Sequence, residues 1–191
     1  GERQVLRFAE PTPLFYERIQ WGDSVVRNRL ETLAALMPVD ETTLSKNPPV
    51  IVTSARALMQ RTLPVNQFRK ATLTLKRGQR HAIESLLQRL LSLGYEATSI
   101  VVEAGTFSRR GGIIDVFAMA VQYPVRIEFF DDEIDTLRQF DPSTQRSIGQ
   151  ISEAFITPAR EVLPSKELTQ PLAVHLDHWF RNLTPSETDA V

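Results

Sequence analysis

Three groups of residues are of types that carry out chemistry in other proteins. Carboxylates, which hold metal ions in hydrolases, cluster in one short segment at Glu128, Asp131, Asp132, Glu133 and Asp135. Two histidines, His175 and His178, are spaced to bring their imidazoles together on a predicted helix. A glycine-rich run, of the kind that cradles phosphate groups, extends from Gly105 to Gly112.

None of these groups forms a complete catalytic set. The acids lie at the predicted tip of a hairpin, and no lysine is close to them in sequence. The two histidines have no third ligand or neighbouring acid of the metalloprotease type. None of the four lysines follows a glycine, so the sequence has no Walker A motif. We therefore expect no catalytic residue, metal site or cofactor here, and keep a metal-dependent hydrolase at the hairpin acids as an alternative.

The composition narrows the class of protein. Among the 191 residues, 42% are hydrophobic and the net charge is −1, values that are typical of a globular protein. The sequence has no cysteine, which excludes disulfide bonds, a thiol nucleophile and cysteine-ligated metals. No stretch approaches the roughly 18 apolar residues of a membrane helix. We expect a soluble, cytoplasmic protein that does not bind membranes.

The near-neutral charge hides an uneven distribution. Residues 69–110 contain eight lysines and arginines against three acids, whereas residues 128–141 contain six acids and one arginine. If the predicted strands pair, Arg109, Arg110 and Arg126 lie together, and Phe130 shares the sheet face of Arg126. Arginine beside an exposed aromatic side chain is typical of the centre of a protein interface. The basic stretch also allows a second interpretation, a nucleic-acid-binding module.

The first third of the chain has the pattern of an α/β domain. We predict a strand at 5–8 and a helix at 24–37, with Asp23 or Ser24 as its N-cap. A β-branched run at 50–53 predicts a buried parallel strand, and Ser54 then caps a helix that extends to Leu63 before Pro64.

The following segment has the pattern of an α+β unit with one helix and about six short strands. The helix is predicted at 81–93, where Gly94 provides a left-handed C-terminal cap. Predicted strands lie at 72–75, 100–102, 112–117 and 154–157, with a loop at 105–111 and a hairpin over 125–140. After Pro164, a helical C-terminal segment carries an apolar stripe formed by Leu172, Leu176, Trp179, Phe180 and Leu183.

Two runs of residues resemble a known domain. They are GTFSRRGGIIDVF at 105–117 and VRIEFFDDEID at 125–135, and they are similar to the second domain shared by the excision-repair helicase UvrB and the bacterial transcription-repair coupling factors (Mfd). Further stretches resemble the coupling factors more than UvrB, at 29–33, 58–61, 75–79, 129–137 and 140–146. The chain is thereby identified as a fragment of the UvrB-like N-terminal module of the coupling-factor family.

The resemblance implies a domain organisation and a site. Residues 1–68 and 158–191 would be parts of a UvrB domain 1a-like α/β domain, and residues 69–157 an inserted, mainly antiparallel α+β domain that docks UvrA. The family's docking residues fall on Arg110, Arg126 and Phe130. Further candidates for the same surface are Arg109, Glu128 and Asp131.

The resemblance also implies what this fragment lacks. In the family, motor domains use ATP and magnesium to translocate on DNA, and a separate domain binds RNA polymerase. This sequence contains neither the motor motifs nor those of the polymerase-binding domain. We therefore expect no enzymatic activity and no cofactor in this fragment, and a non-catalytic role in recruiting UvrA to stalled transcription.

Overall fold

The computed structural model describes residues 3–11, 21–37 and 48–161. Within these residues the chain is mixed α/β, with four helices and ten strands in three sheets, and most of the strand pairs are antiparallel. The helix predicted after Pro164, with His175 and His178, lies outside the described residues.

The first part is a small layered unit of two strands and a helix. Strand β1 (Val5–Phe8) pairs in parallel with strand β2 (Val50–Thr53), and helix α1 (Asp23–Leu36) packs against β1. The parallel pairing predicted for an α/β part is confirmed. The predicted burial of β2 is wrong, because Val50 and Val52 are 40% and 55% exposed on a sheet face that no described residue covers.

The helix ends in this part differ from the sequence prediction. Gly22 occupies the N-cap of α1, so the cap predicted at Asp23 or Ser24 is wrong. Ser54 caps helix α2 (Ala55–Leu58) as predicted, and its Oγ accepts a hydrogen bond of 3.1 Å from the Ala57 amide. However, α2 ends at Leu58, well before Pro64, so the helix predicted to extend to Leu63 is too long.

A short helix that the sequence analysis did not predict follows this proline. Helix α3 (Val65–Ala71) begins with Pro64 at its N-cap and crosses the predicted domain boundary at residue 69. The next strand, β3 (Leu73–Lys76), pairs antiparallel with the last described strand, β10 (Glu153–Ile156). These two strands form a small sheet of their own. The domain boundaries at 68 and 157 stay predictions.

Between β3 and β10, the chain forms one helix and a six-stranded sheet. Helix α4 (Ile83–Ser92) has Leu93 as its C-cap, and Gly94 follows in the predicted left-handed conformation with φ +87°. The strands lie in chain order and are antiparallel except for the first pair: β4 (Glu96–Ala97), β5 (Thr106–Arg110), β6 (Ile113–Phe117), β7 (Val125–Phe130), β8 (Glu133–Phe140) and β9 (Ser147–Gln150).

The structure corrects the sequence prediction around residue 105. The predicted loop at 105–111 is mostly strand β5, which pairs along its whole length with β6. Gly111, with φ +60°, makes the turn between them. The predicted strand at 100–102 is wrong, because these residues pair with no described strand, and Val101 is buried against Phe117 and Phe140. With β4 and β9 added, residues 69–157 contain eight strands rather than about six.

The two faces of the six-stranded sheet differ in character. The inner face packs against the apolar side of α4, where Leu86 and Leu90 are buried with Ile114, Ile127 and Leu137. Since alternate residues of a strand point to opposite sides, the polar residues between these positions lie on the other face. We call this second side the outer face.

Candidate protein interface on the six-stranded sheet

A buried carboxylate lies at the centre of the outer face. Asp115 belongs to β6, and its side chain is only 1% exposed. It accepts hydrogen bonds from Arg126 on β7, with 2.7 Å to Nε and 2.9 Å to Nη2, and from Arg110 on β5, with 2.7 Å to Nη2. Three charge-assisted hydrogen bonds from two flanking strands therefore compensate the burial of this acid.

Sheet register explains why these residues meet. Asp115 lies directly opposite Arg126 on one side and opposite Ser108 on the other. Arg110 is two residues along β5 from Ser108, so that it points to the same face and reaches back to the carboxylate. The expectation that Arg110 and Arg126 lie together is confirmed.

The guanidinium group of Arg126 is held on two sides. Its Cζ lies 4.7 Å from the centre of the Phe140 ring, in the range of a cation–π contact, while Asp115 binds two of its nitrogens. These hydrogen bonds raise the pKa of Arg126 above its ordinary value. Its side chain is 21% exposed and that of Arg110 is 53% exposed, so both reach the protein surface.

Phe130 lies at the end of the same strand and is 81% exposed. The register between β7 and β8 shifts after Glu128, and this places Phe129 opposite buried Ile134 on the inner side of the sheet. Phe130 is the next residue along the strand, so its side chain points to the outer face. This places Phe130 on the face of Arg126, as the alternation predicted. An exposed aromatic side chain on the same face as arginines has the composition of a protein interface centre.

The hairpin tip beside Phe130 is fastened to the loop between β3 and α4. The Gly78 amide donates to the Ile134 carbonyl at 2.8 Å, and the Ile134 amide donates to the Gln79 carbonyl at 2.8 Å. The His81 amide donates to the Asp132 carbonyl, also at 2.8 Å. Phe130 is therefore presented by a fixed backbone rather than by a free loop.

The remaining candidate residues divide between the two faces. Glu128 shares the outer face, where it accepts from the Thr136 hydroxyl and lies 3.7 Å from Arg138 Nη2, and Asp131 is exposed in the adjoining turn with φ +58°. Arg109 is not brought to this face. It points to the opposite side and pairs with Glu84 of α4 at 2.9 Å, because neighbouring residues of a strand face opposite ways.

Asp115 is the residue that the sequence analysis missed. It lies in an otherwise apolar strand, between Ile114 and Val116, and a lone acid in such a strand needs a partner. The sequence thus indicated that Asp115 has a partner. Identifying Arg110 and Arg126 as its partners required knowing that β6 pairs with β5 and β7.

The basic stretch does not form a uniformly positive surface. Its charged groups alternate with acids in a series of ion pairs, Lys76–Glu153, Arg77–Asp135, Arg80–Asp132 and Arg109–Glu84, with distances of 2.9–4.0 Å. Such pairing weakens the case for a nucleic-acid-binding module. Among the described residues, no group of three or more histidines and acids is arranged to hold a metal ion, and no helix is long and apolar enough to cross a membrane.

Comparison with known families identifies the domain that carries this face. Residues 73–162 match the family model of the UvrB interaction domain, which covers α4 and all six strands of the large sheet. Over these residues, the chain is similar to that family.

Curated relatives agree with this assignment. The chain is similar to the transcription-repair-coupling factors of Myxococcus xanthus (37% identity over 89% of the chain), Escherichia coli K12 (32% over 84%) and Staphylococcus aureus Mu50 (33% over 96%). It spans 14%, 13% and 16% of the length of these relatives. The similarity is that of a fragment of a coupling factor, and the family resemblance seen in the sequence is confirmed.

Proposed function

We propose that the chain is a non-catalytic recruitment module that docks UvrA on the outer face of its six-stranded sheet. Through that contact it couples stalled transcription to nucleotide excision repair. The observation that carries the proposal is the cluster of Arg110, Asp115 and Arg126 on the same face as exposed Phe130. The similarity of the chain to the UvrB interaction domain and to transcription-repair-coupling factors supports a role in transcription-coupled repair.

The chemistry of the outer face suits a protein partner. Arginine and aromatic side chains contribute most to binding when they form the centre of an interface. Here the arginine is held by Asp115 and Phe140 before any partner arrives, and this lowers the entropy lost on binding. Glu128 and Asp131 would form the polar rim of the same contact.

The proposal assigns the other activities of the family to other parts of a longer protein. ATP hydrolysis with magnesium, translocation on DNA and binding of RNA polymerase would belong to regions outside this chain. Docking by the outer face needs no cofactor. The setting that this role implies is the bacterial cytoplasm.

The test is calorimetric titration of the purified chain with purified UvrA, together with a titration of the chain with duplex DNA. We expect saturable binding to UvrA and no DNA binding at physiological salt. Binding to DNA that weakens steeply with salt, without binding to UvrA, would favour the nucleic-acid-binding alternative. Circular dichroism of the same sample checks that the chain is folded, so that failure to bind UvrA counts against the proposal.

A further inference from the structure

We propose that Asp115 is the positioning residue of the outer face, and that the guanidinium groups it orients bind a carboxylate on the partner. This inference rests on the proposed docking function. It assigns Asp115 a role that acts through Arg126 and Arg110, since its own carboxylate is buried and does not reach the partner.

Asp115 is placed to hold both arginines. It lies on β6, between the two strands that carry the arginines, and in one row across the sheet with Ser108 and Arg126. Its two carboxylate oxygens bind Nε and Nη2 of Arg126 side by side, and the oxygen bound to Nη2 also binds Arg110. A paired contact of this kind fixes the plane of the guanidinium group as well as its position.

Both arginines keep hydrogen-bond donors that Asp115 does not use. A guanidinium group has five N–H donors. Asp115 binds Nε and Nη2 of Arg126, and Phe140 covers one face of the group, which leaves Nη1 without a hydrogen bond to any other described residue. Among the described residues, Arg110 donates a side-chain hydrogen bond through Nη2 alone. Both residues therefore present donors to a partner in fixed directions.

The charges of Arg110, Asp115 and Arg126 do not cancel. Two arginines and one aspartate leave a net positive charge on this part of the face. The nearest acid on the same strand, Glu128, already accepts from Thr136 and lies beside Arg138. A planar donor set with uncompensated positive charge is complementary to a carboxylate, so an aspartate or glutamate of UvrA is the group we expect it to bind.

Asp115→Asn tests the role, because it preserves the shape of the side chain but removes the charge and replaces one acceptor by a donor. We expect the dissociation constant for UvrA to rise about tenfold or more. Ser108→Ala is the matched control. Ser108 lies directly opposite Asp115 and is equally buried, but its hydroxyl makes no hydrogen bond to the described residues, so we expect unchanged binding.

Two further measurements distinguish a role of Asp115 in orienting Arg126 from a general role in the stability of the fold. In nitrogen-15 spectra of the free chain, we expect the Nε–H signal of Arg126 to be protected from exchange with water and to lose that protection in Asp115→Asn. In an Arg126→Ala background, we expect Asp115→Asn to weaken UvrA binding much less than it does in the parent chain. If Asp115→Asn does not fold, Asp115→Glu keeps the charge but displaces the arginines, and we expect weaker binding from the folded variant.

Several outcomes would overturn the inference. One is that the folded Asp115→Asn variant binds UvrA as tightly as the parent chain does. Another is that Asp115→Asn reduces UvrA affinity by the same factor in the parent chain and in the Arg126→Ala background. An Arg126 Nε–H signal that is the same in both forms would also contradict it. If the parent chain does not bind UvrA, the docking function fails, whereas the Nε–H signal still shows whether Asp115 orders Arg126, so the two failures are distinguishable.

Discussion

Asp115 and Arg126 lie directly opposite each other on neighbouring strands, and two hydrogen bonds of 2.7 and 2.9 Å join their side chains. The carboxylate is buried and the guanidinium group reaches the surface. A single ion pair thus connects the interior of the domain with the face that we propose binds UvrA. Changes to either residue are expected to affect both folding stability and docking.

Arg126→Ala is the first test of this connection. We expect UvrA binding to weaken by about 2 kcal/mol or more, as for a central arginine of an interface. We also expect the free energy of unfolding to fall by about 1–3 kcal/mol, because Asp115 keeps only its bond to Arg110. Calorimetry measures the first effect and urea denaturation the second.

Arg146→Ala is the matched control for this change, since Arg146 is an exposed arginine in the turn between β8 and β9. We expect neither quantity to change in that variant. Retention of full UvrA affinity by folded Arg126→Ala would remove this residue from the docking face.

Phe130→Ala separates docking from folding more cleanly. The ring is 81% exposed, so its removal should change the free energy of unfolding by less than about 0.5 kcal/mol. We expect binding to UvrA to weaken by about 2 kcal/mol, because an exposed aromatic beside a fixed arginine has the composition of an interface centre. Titration of the variant with UvrA, alongside urea denaturation, measures both. A variant that binds like the parent chain would show that Phe130 lies outside the contact.

The buried ion pair between Arg29 and Glu161 predicts a large contribution to the free energy of unfolding. It is fully buried, its Nη2 donates to Glu161 at 3.0 Å, and its guanidinium group lies 3.9 Å from the Phe8 ring centre. Arg29→Ala leaves the acid buried without its partner, so we expect a loss of about 3–5 kcal/mol in unfolding free energy.

Arg56→Ala serves as the comparison in the same urea experiment, since the Arg56–Glu10 pair is largely exposed and should contribute less than about 1 kcal/mol. Equal losses in the two variants would contradict the role given to burial.

The turn after β8 predicts a pH dependence. Hydrogen bonds from the hydroxyl and amide of Ser143, and from the Thr144 amide, hold the pKa of Asp141 below its usual value. The stabilisation is therefore present above the unfolded pKa of about 3.9 and is lost as the pH falls through the lower, folded pKa. We expect Asp141→Ala to lower the urea midpoint at pH 6 and to have a smaller effect near pH 3.

Asp141→Asn keeps an acceptor for the same donors and should recover part of this loss at pH 6. A difference between Asp141→Ala and the parent chain that does not vary with pH would show that the titration of Asp141 is not involved.

The sequence predicts local structure well where the pattern is strong. The alternation over 125–140 located the hairpin, and Gly94 located the end of α4, because both signals depend on neighbouring residues. Strand β5 was missed because its residues TFSRR contain a single large apolar residue. It becomes a strand through its pairing with β6, and such a long-range contact leaves little trace in the segment itself.

The residues of the candidate site likewise divide into those that the sequence predicted and those that only the strand pairing revealed. Arg110, Arg126 and Phe130 came from the family resemblance together with the charge pattern, and the structure gathers them on one face. Arg109 was grouped with them because it is adjacent in sequence, but the strand sends it to the other side. Asp115 was overlooked because its partners lie on two other strands, and only the register of the sheet brings them to it.

The most direct measurement compares two adjacent arginines of β5, Arg109 and Arg110, whose side chains point to opposite faces of the sheet. The dissociation constant for UvrA would be measured for Arg109→Ala and Arg110→Ala in the same chain, with circular dichroism of both. We expect Arg110→Ala to weaken binding by about 1–2 kcal/mol and Arg109→Ala to bind like the parent chain. Equal binding by the two folded variants, or a loss confined to Arg109→Ala, would contradict docking through the outer face.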